Sequence, residues 1–408
     1  MRNSPKRFVF AVLAVGLALG LSAVAEQTTA ARWVTAWGTS QQGLGDTSLT
    51  AATVRLIARV TAPGESIRIR LDNTYGARPL VVGAATVGEP MRGATLSPGL
   101  IRAVLFDGAT GVTIPAGGSV QSDAIVMAVL AQQDLAVSLY LPEDDVQPSQ
   151  HNGAKATSFF TINGGGDHTN DEAADAFTET TTAMFWLKSI DVLSSTSTGA
   201  IVAFGDSITD GSCATDDGHD RWIDWVAVRL QLQAMNGPYK AVVNEGIGGN
   251  TVNGEVTPAP SSTPGTERLE RDVLTHSGVT HVVLFMGTND IRRDADAAQV
   301  IAGMQDIVDR VHAEGMKIIG ATIIPRHDRA PTENNTGWSP EKTAIRHEVN
   351  EWIRNEAAFD GILDFDLVVQ DAADANLIES NFNCDGIHPN LRGYYEMGSG
   401  VNLDLFKD

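Results

Sequence analysis

Ile201-Val202-Ala203-Phe204 runs directly into Gly205-Asp206-Ser207-Ile208-Thr209-Asp210-Gly211, and the fold is read outward from this stretch. A short apolar run that breaks into Gly-Asp-Ser reads as a buried β-strand ending in a tight turn, with one hydroxyl presented at the rim of a sheet. An α/β protein places a nucleophile at that position. By itself the motif leaves an ordinary loop open, because Gly, Asp, Ser and Thr are common turn residues. Its weight comes from what lies downstream.

From about Gly199 onward, apolar strand-like runs alternate with amphipathic helical segments. The 201–204 strand is followed by a helix around 221–232, and a strand at 241–243 by a helix near 267–274. A strand at 281–286 precedes a helix over about 295–314. A strand at 317–324 precedes a helix over about 340–358. A strand at 361–363 and a last helix over about 391–405 close the chain. Strands of this length alternating with helices predict a parallel sheet between two helix layers, a three-layer α/β/α domain over 199–408.

Upstream the texture differs. Ser66-Ile67-Arg68-Ile69-Arg70-Leu71 and Ala136-Val137-Ser138-Leu139-Tyr140-Leu141 alternate with period two, and the run over 53–60 does so imperfectly. Short alternating runs broken by Gly and Pro, with no helical stretch among them, predict an antiparallel β-sandwich over 32–195. The small polar stretch Ser194-Ser195-Thr196-Ser197-Thr198-Gly199 suits a short connection between the two halves.

The chain opens with Arg2, Lys6 and Arg7, then an apolar stretch over 8–21, then Ala23-Val24-Ala25. That pattern predicts a signal peptide over 1–25, and so an extracellular or periplasmic protein with no membrane span after cleavage. The formal charge of the 408 residues is −21, and losing the leader makes it more negative still. Nucleic acid and anionic membrane surfaces are therefore excluded as expected partners. A hydrophobic fraction of 43% is enough for real cores and argues against disorder.

Three loops follow the first three strands of the second half. They are Gly205-Asp206-Ser207, then Asn244-Glu245-Gly246-Ile247-Gly248-Gly249-Asn250-Thr251, then Gly287-Thr288-Asn289-Asp290. In a doubly wound sheet of order 2-1-3-4-5 these carboxyl ends are neighbours at the topological switch point. A hydroxyl, a glycine-rich backbone and a side-chain amide would converge there, which is the inventory of acyl transfer. Asp385-Gly386-Ile387-His388-Pro389-Asn390, before the last helix, supplies a base for the serine. His388 would accept the Ser207 proton, and Asp385 would hold the imidazole in the correct tautomer.

With these blocks in this order, the chain resembles the SGNH hydrolases, or GDSL-type esterases, over roughly 199–408. The resemblance implies a flavodoxin-like α/β/α sheet, Ser207 as nucleophile and His388 as base oriented by Asp385. It also implies an oxyanion hole made of the backbone N–H groups of Ser207 and Gly249 and the amide of Asn289. It implies no cofactor and no metal. Thr209 stands where an α/β-hydrolase elbow, Gly-x-Ser-x-Gly, has its second glycine. Trp33-Val34-Thr35-Ala36-Trp37-Gly38 and the β-rich first half resemble a secreted bacterial subgroup with a jelly-roll-like sandwich ahead of the catalytic domain. Cys384 departs from the Gly- or Ser-like residue usual there before the catalytic aspartate.

Cys213 lies six residues beyond the nucleophile, and Cys384 immediately precedes Asp385. If Ser207 and His388 meet, the two sulfurs are close, so a Cys213–Cys384 disulfide is expected. The remaining histidines show no metal-ligand spacing. The irregular segment 326–339, around Trp338, follows the fourth strand and is expected to line the substrate site. The reading is an exported serine esterase for small-molecule or polysaccharide esters, such as carbohydrate O-acetyl or short-chain acyl or aryl esters. A lipase or lysophospholipase, an acyltransferase, or a carbohydrate-binding surface protein with a vestigial site are the alternatives.

Overall fold

The structure, a computed structural model, describes residue 1 and residues 30–233 and 239–408. Most of the expected leader, with its cleavage signal, lies outside the described residues. No helix among those described is long and apolar enough to cross a membrane.

The first half is antiparallel. Strands β1 (Arg32–Gly38), β2 (Ala52–Val60), β3 (Gly64–Asp72), β4 (Gln133–Leu141) and β5 (Leu187–Ser194) form its backbone. One sheet runs β1-β5-β3, with two short strands beyond β3; the other centres on β2 paired with β4 from Ala52↔Leu141 to Val60↔Gln133. Their inward side chains, among them Val54, Leu56, Ile67, Ile69, Val137 and Leu139, share one apolar cluster. The sheets therefore make a sandwich, as burying two half-apolar faces requires. The imperfect alternation of β2 has a physical cause. Arg55 points away from the sandwich core but is buried all the same. Its guanidinium donates to the Ala94 and Asp171 carbonyls and lies 4.0 Å from the Phe177 ring.

Beyond Ser194 the pairing becomes parallel. Strands β6 (Ser197–Gly205), β7 (Tyr239–Gly246), β8 (Val279–Phe285), β9 (Lys317–Ala321) and β10 (Gly361–Leu363) form a five-stranded sheet of order β7-β6-β8-β9-β10. This is the expected 2-1-3-4-5. The apolar run at the start makes sense here, because both faces are covered. Ile201 and Ala203 share a cluster with Trp222, Val226 and Met397, whereas Val202 and Phe204 share one with Met304, Ile307 and Val308. Residues one apart thus feed opposite helix layers. The layers include α1 (Ser207–Asp210), α2 (Trp222–Gln233), α3 (Gly265–Leu269), α4 (Thr288–Ile291), α5 (Ala297–Ala313), α6 (Pro340–Asn355), α7 (Phe365–Val369) and α8 (Leu391–Gly400).

Two expectations shift. The helix near 267–274 winds as a π-helix over Glu270–Leu274, and Asp272 on that turn meets Lys188 and Arg271 in the interior. The last helix ends at Gly400, where Val401 turns extended before a short 3₁₀ turn.

The halves are not beads on a string. The apolar cluster of the sandwich continues into the α2/α8 layer of the parallel sheet. At the exposed edge of β7, the Thr61 hydroxyl receives the Val242 N–H and donates to the Val242 carbonyl. The sandwich thereby occupies an edge that could otherwise pair with another strand.

Candidate active site

The parallel sheet brings the ends of β6, β7 and β8 side by side, so the loops behind them meet. Asp206 caps α1: its carboxylate accepts from Ile208 N–H at 3.0 Å, and the helix opens on Ser207. Gly246 at the end of β7 is needed for this approach, because a Cβ there would lie 2.2 Å from the backbone nitrogen of Asp210.

Ser207 Oγ lies 2.8 Å from His388 Nε2, across 181 residues of sequence. On the other side of the ring, His388 Nδ1 lies 2.9 Å from Asp385 Oδ2, while Asp385 Oδ1 accepts from the backbone N–H of Ile387 and His388. Burial works to raise the Asp385 pKa, but the bonds from His388 outweigh it and hold the carboxyl well below the usual carboxylate range. The loop carrying both residues is pinned twice. The Cys213–Cys384 disulfide joins it to the nucleophile loop, and the Tyr394 hydroxyl on α8 donates to the Ser212 carbonyl at 2.7 Å.

Gly249 adopts φ +74°, a left-handed conformation that L side chains rarely take, and faces open space. Its turn is closed by Asn250 N–H to Ile247 O and by Gly248 N–H to Asp210 Oδ2, so neither bond uses the N–H of Gly249. Asn289 Nδ2 donates to Asn250 O at 2.9 Å and to Asp206 Oδ2 at 3.3 Å. Asp290 accepts from the N–H groups of Val252 and Asn253, tying the end of the Gly249 loop to α4; burial pushes its pKa up to about 7. Ser207, Gly249, Asn289, Asp385 and His388 are thus gathered into one place.

Trp338 is not. Its ring is only 3% exposed and packs among Met304 and Ile323, and its Nε1–H is spent on the Thr343 hydroxyl at 3.0 Å. It sits behind the site as a stacking platform for Arg326, 5.2 Å from the ring centre, instead of lining the site as expected. An amphipathic tryptophan after a sheet strand satisfies a core as readily as a pocket wall.

Two site neighbours escaped the sequence reading, and a third, Arg326, opens the 326–339 segment expected to line the site. Arg268, 1% exposed, donates to the Gly205 and Glu245 carbonyls and to Asn250 Oδ1, joining the ends of β6 and β7 to the Gly249 loop. Burial lowers its pKa to about 10. His151, from the sandwich, places Nε2 3.0 Å from Asp210 Oδ1 and Nδ1 2.9 Å from the Ser40 carbonyl. Both partners are acceptors, so the ring favours holding both protons. Burial opposes that charge, but the Asp210 carboxylate outweighs burial and the pKa is raised. Arg326 donates to Thr288 Oγ1, next to Asn289. Neither Arg268 nor His151 carries a local motif. Asp210 links His151 to the Gly248 N–H.

Among the described residues, the one group of three metal-type ligands close enough to share an ion is Cys213, Asp385 and His388, and that sulfur is in the disulfide.

Residues 203–395 match the GDSL-like Lipase/Acylhydrolase family. A search of curated proteins returns no match. Among solved structures, a member of the lipolytic protein G-D-S-L family from Veillonella parvula DSM 2008 is 22% identical, covering 49% of this chain and 94% of that one, with a TM-score of 0.36. A GDSL-like lipase from Bacteroides thetaiotaomicron VPI-5482 is 15% identical, covering 51% and 88%, with a TM-score of 0.38. A carbohydrate acetylesterase family member from Sinorhizobium meliloti is 19% identical, covering 50% and 94%, with a TM-score of 0.37. The stretch that holds Ser207, Asn289 and His388 carries a GDSL-like lipase/acylhydrolase domain.

Proposed function

We propose that the protein is an exported serine esterase that hydrolyses carboxylic esters through an acyl-enzyme. The observation that carries this reading is the unbroken hydrogen-bond chain Ser207–His388–Asp385. Ser207 Oγ adds to the ester carbonyl carbon as its proton passes to His388 Nε2, and the carbonyl electrons move onto oxygen. The oxyanion is received by the N–H groups of Ser207 and Gly249 and by the Asn289 amide. Of the two bonds Asn289 makes at rest, the one to Asp206 at 3.3 Å is the longer and the easier to exchange. When the intermediate collapses, the C–O bond to the alcohol breaks and His388 returns the proton to the leaving alkoxide. Water then repeats the sequence: it gives a proton to His388, attacks the acyl carbon, and Ser207 leaves with that proton. Asp385, kept ionised, holds the imidazole Nδ1–H throughout.

Export is supported by the basic and apolar start of the chain and agrees with the disulfide. The substrate class proposed is a short acyl, aryl or carbohydrate O-acetyl ester. The test is Ser207→Ala assayed on p-nitrophenyl esters and on an acetylated polysaccharide. Loss of turnover with an unchanged melting temperature is expected, and retained turnover would refute the assignment.

A further inference from the structure

The chain carries 50 acidic and 29 basic residues, yet three guanidinium groups gather near its site. Arg292 follows α4 directly, two residues after Asp290. Arg326, 5% exposed, is held by Thr288 Oγ1 at 3.1 Å and stacked on Trp338. Arg329 lies along the catalytic loop, its Nη2 3.4 Å from where a Cβ on Gly386 would stand. The backbone fixes it there, because His327 N–H donates to the Gly386 carbonyl at 2.9 Å.

These arginines are underused. Buried Arg268 and Arg346 meet Asp272 and Asp366, but Arg292, Arg326 and Arg329 form no ion pair among the described residues. The Nε atoms of Arg292 and Arg326 are buried with no partner. The nearby carboxylates are already engaged, since Asp385 is bonded to His388 and Asp206 to Ile208 and Asn289. Burial first, then the like charge of Arg292, outweigh the pull of Asp206 and Asp385 and lower the Arg326 pKa to about 9. Cations gathered without an ion pair store repulsion that an incoming anion relieves.

From the unpaired guanidinium groups of Arg326, Arg292 and Arg329 beside Ser207 and His388, we propose that the site is built for esters bearing a negatively charged oxygen group, such as a carboxylate, close to the scissile bond. This rests on the esterase reading. Arginine suits the task because its planar fork holds a carboxylate through two charge-assisted bonds. The anion could lie on the acyl or the alcohol side, and the chemistry of recognition is the same.

Matched ester pairs measured on the full chain decide the matter. On the acyl side, p-nitrophenyl hydrogen adipate is compared with p-nitrophenyl heptanoate. On the alcohol side, acetate release from para-acetoxybenzoate is compared with release from its methyl ester. One pair is expected to show kcat/KM at least about tenfold higher for the anionic member, the worth of one charge-assisted contact. That ratio should collapse toward one in Arg326→Gln, and in Arg329→Gln, an exposed position that serves if the buried substitution disturbs folding by circular dichroism. A ratio of one or less in both pairs overturns the proposal. So does an anionic preference that survives both substitutions. Turnover of the neutral esters alone leaves the esterase reading standing while this inference falls, whereas no turnover of any ester removes both.

Discussion

Asp206 stands between Ser207 and the Asn289 amide, and burial decides its charge. Desolvation raises its pKa to about 6, although the Ile208 N–H and the nearby His388, Arg326 and Arg292 all work to lower it. The sign for stability follows from linkage. Between the unfolded value near 4 and the folded value near 6, the folded chain binds more protons, so this group's contribution falls as pH rises and is level above about 6. Urea melts of wild type and Asp206→Asn should therefore show a wild-type-minus-variant stability that declines from pH 4 to 6. A difference that stays flat or rises would contradict the raised value. At the same scale, Ser207, His388 and Asp385 were legible in the sequence because each sits in a short block whose residue types serve one chemistry. Trp338 was misread because a single aromatic carries no such context, and only packing shows which way it faces.

The elements explain why these residues stay in register. Three strand ends and the loop before α8 supply the site, and two ties hold that loop to the nucleophile: the Cys213–Cys384 disulfide and the Tyr394–Ser212 bond. The disulfide closes 171 residues of chain. In a Cys213→Ser/Cys384→Ser variant, unfolding free energy should drop by about 2–5 kcal/mol. Ester turnover should fall with it, because the Ser207–His388 contact loses its covalent support. A variant with unchanged melting and unchanged kcat would show the bond to be dispensable. Strand and helix order could be read from periodicity, since β6 to β10 carry continuous apolar runs and the helices between them amphipathic ones. The π-turn at Glu270–Leu274 could not, because no local pattern marks the extra residue that a buried ion cluster accommodates.

Across the whole molecule, the sandwich reaches into the site. His151 belongs to the first half, is 1% exposed, and holds the Asp210 carboxylate that receives the Gly248 N–H beside the oxyanion turn. It touches no reacting atom and is a positioning residue. His151→Ala should lower kcat by about 10- to 100-fold with a smaller change in KM, as expected when a donor is displaced by a fraction of an ångström. Affinity for a tetrahedral boronic acid adduct of Ser207 should fall in step. A purely structural role would lower the melting temperature and leave that affinity untouched. By itself the sequence determined the fold class of both halves, the strand order around Ser207 and the short blocks in which Ser207, Asn289, Asp385 and His388 stand. Periodicity and short functional blocks are local properties, and they survive in one dimension. The tertiary structure alone decided that Arg268 and His151 stand at the site. Their roles arise from pairings between distant segments, fixed by burial and by the need to satisfy charge in the interior, and no local pattern of residues records them.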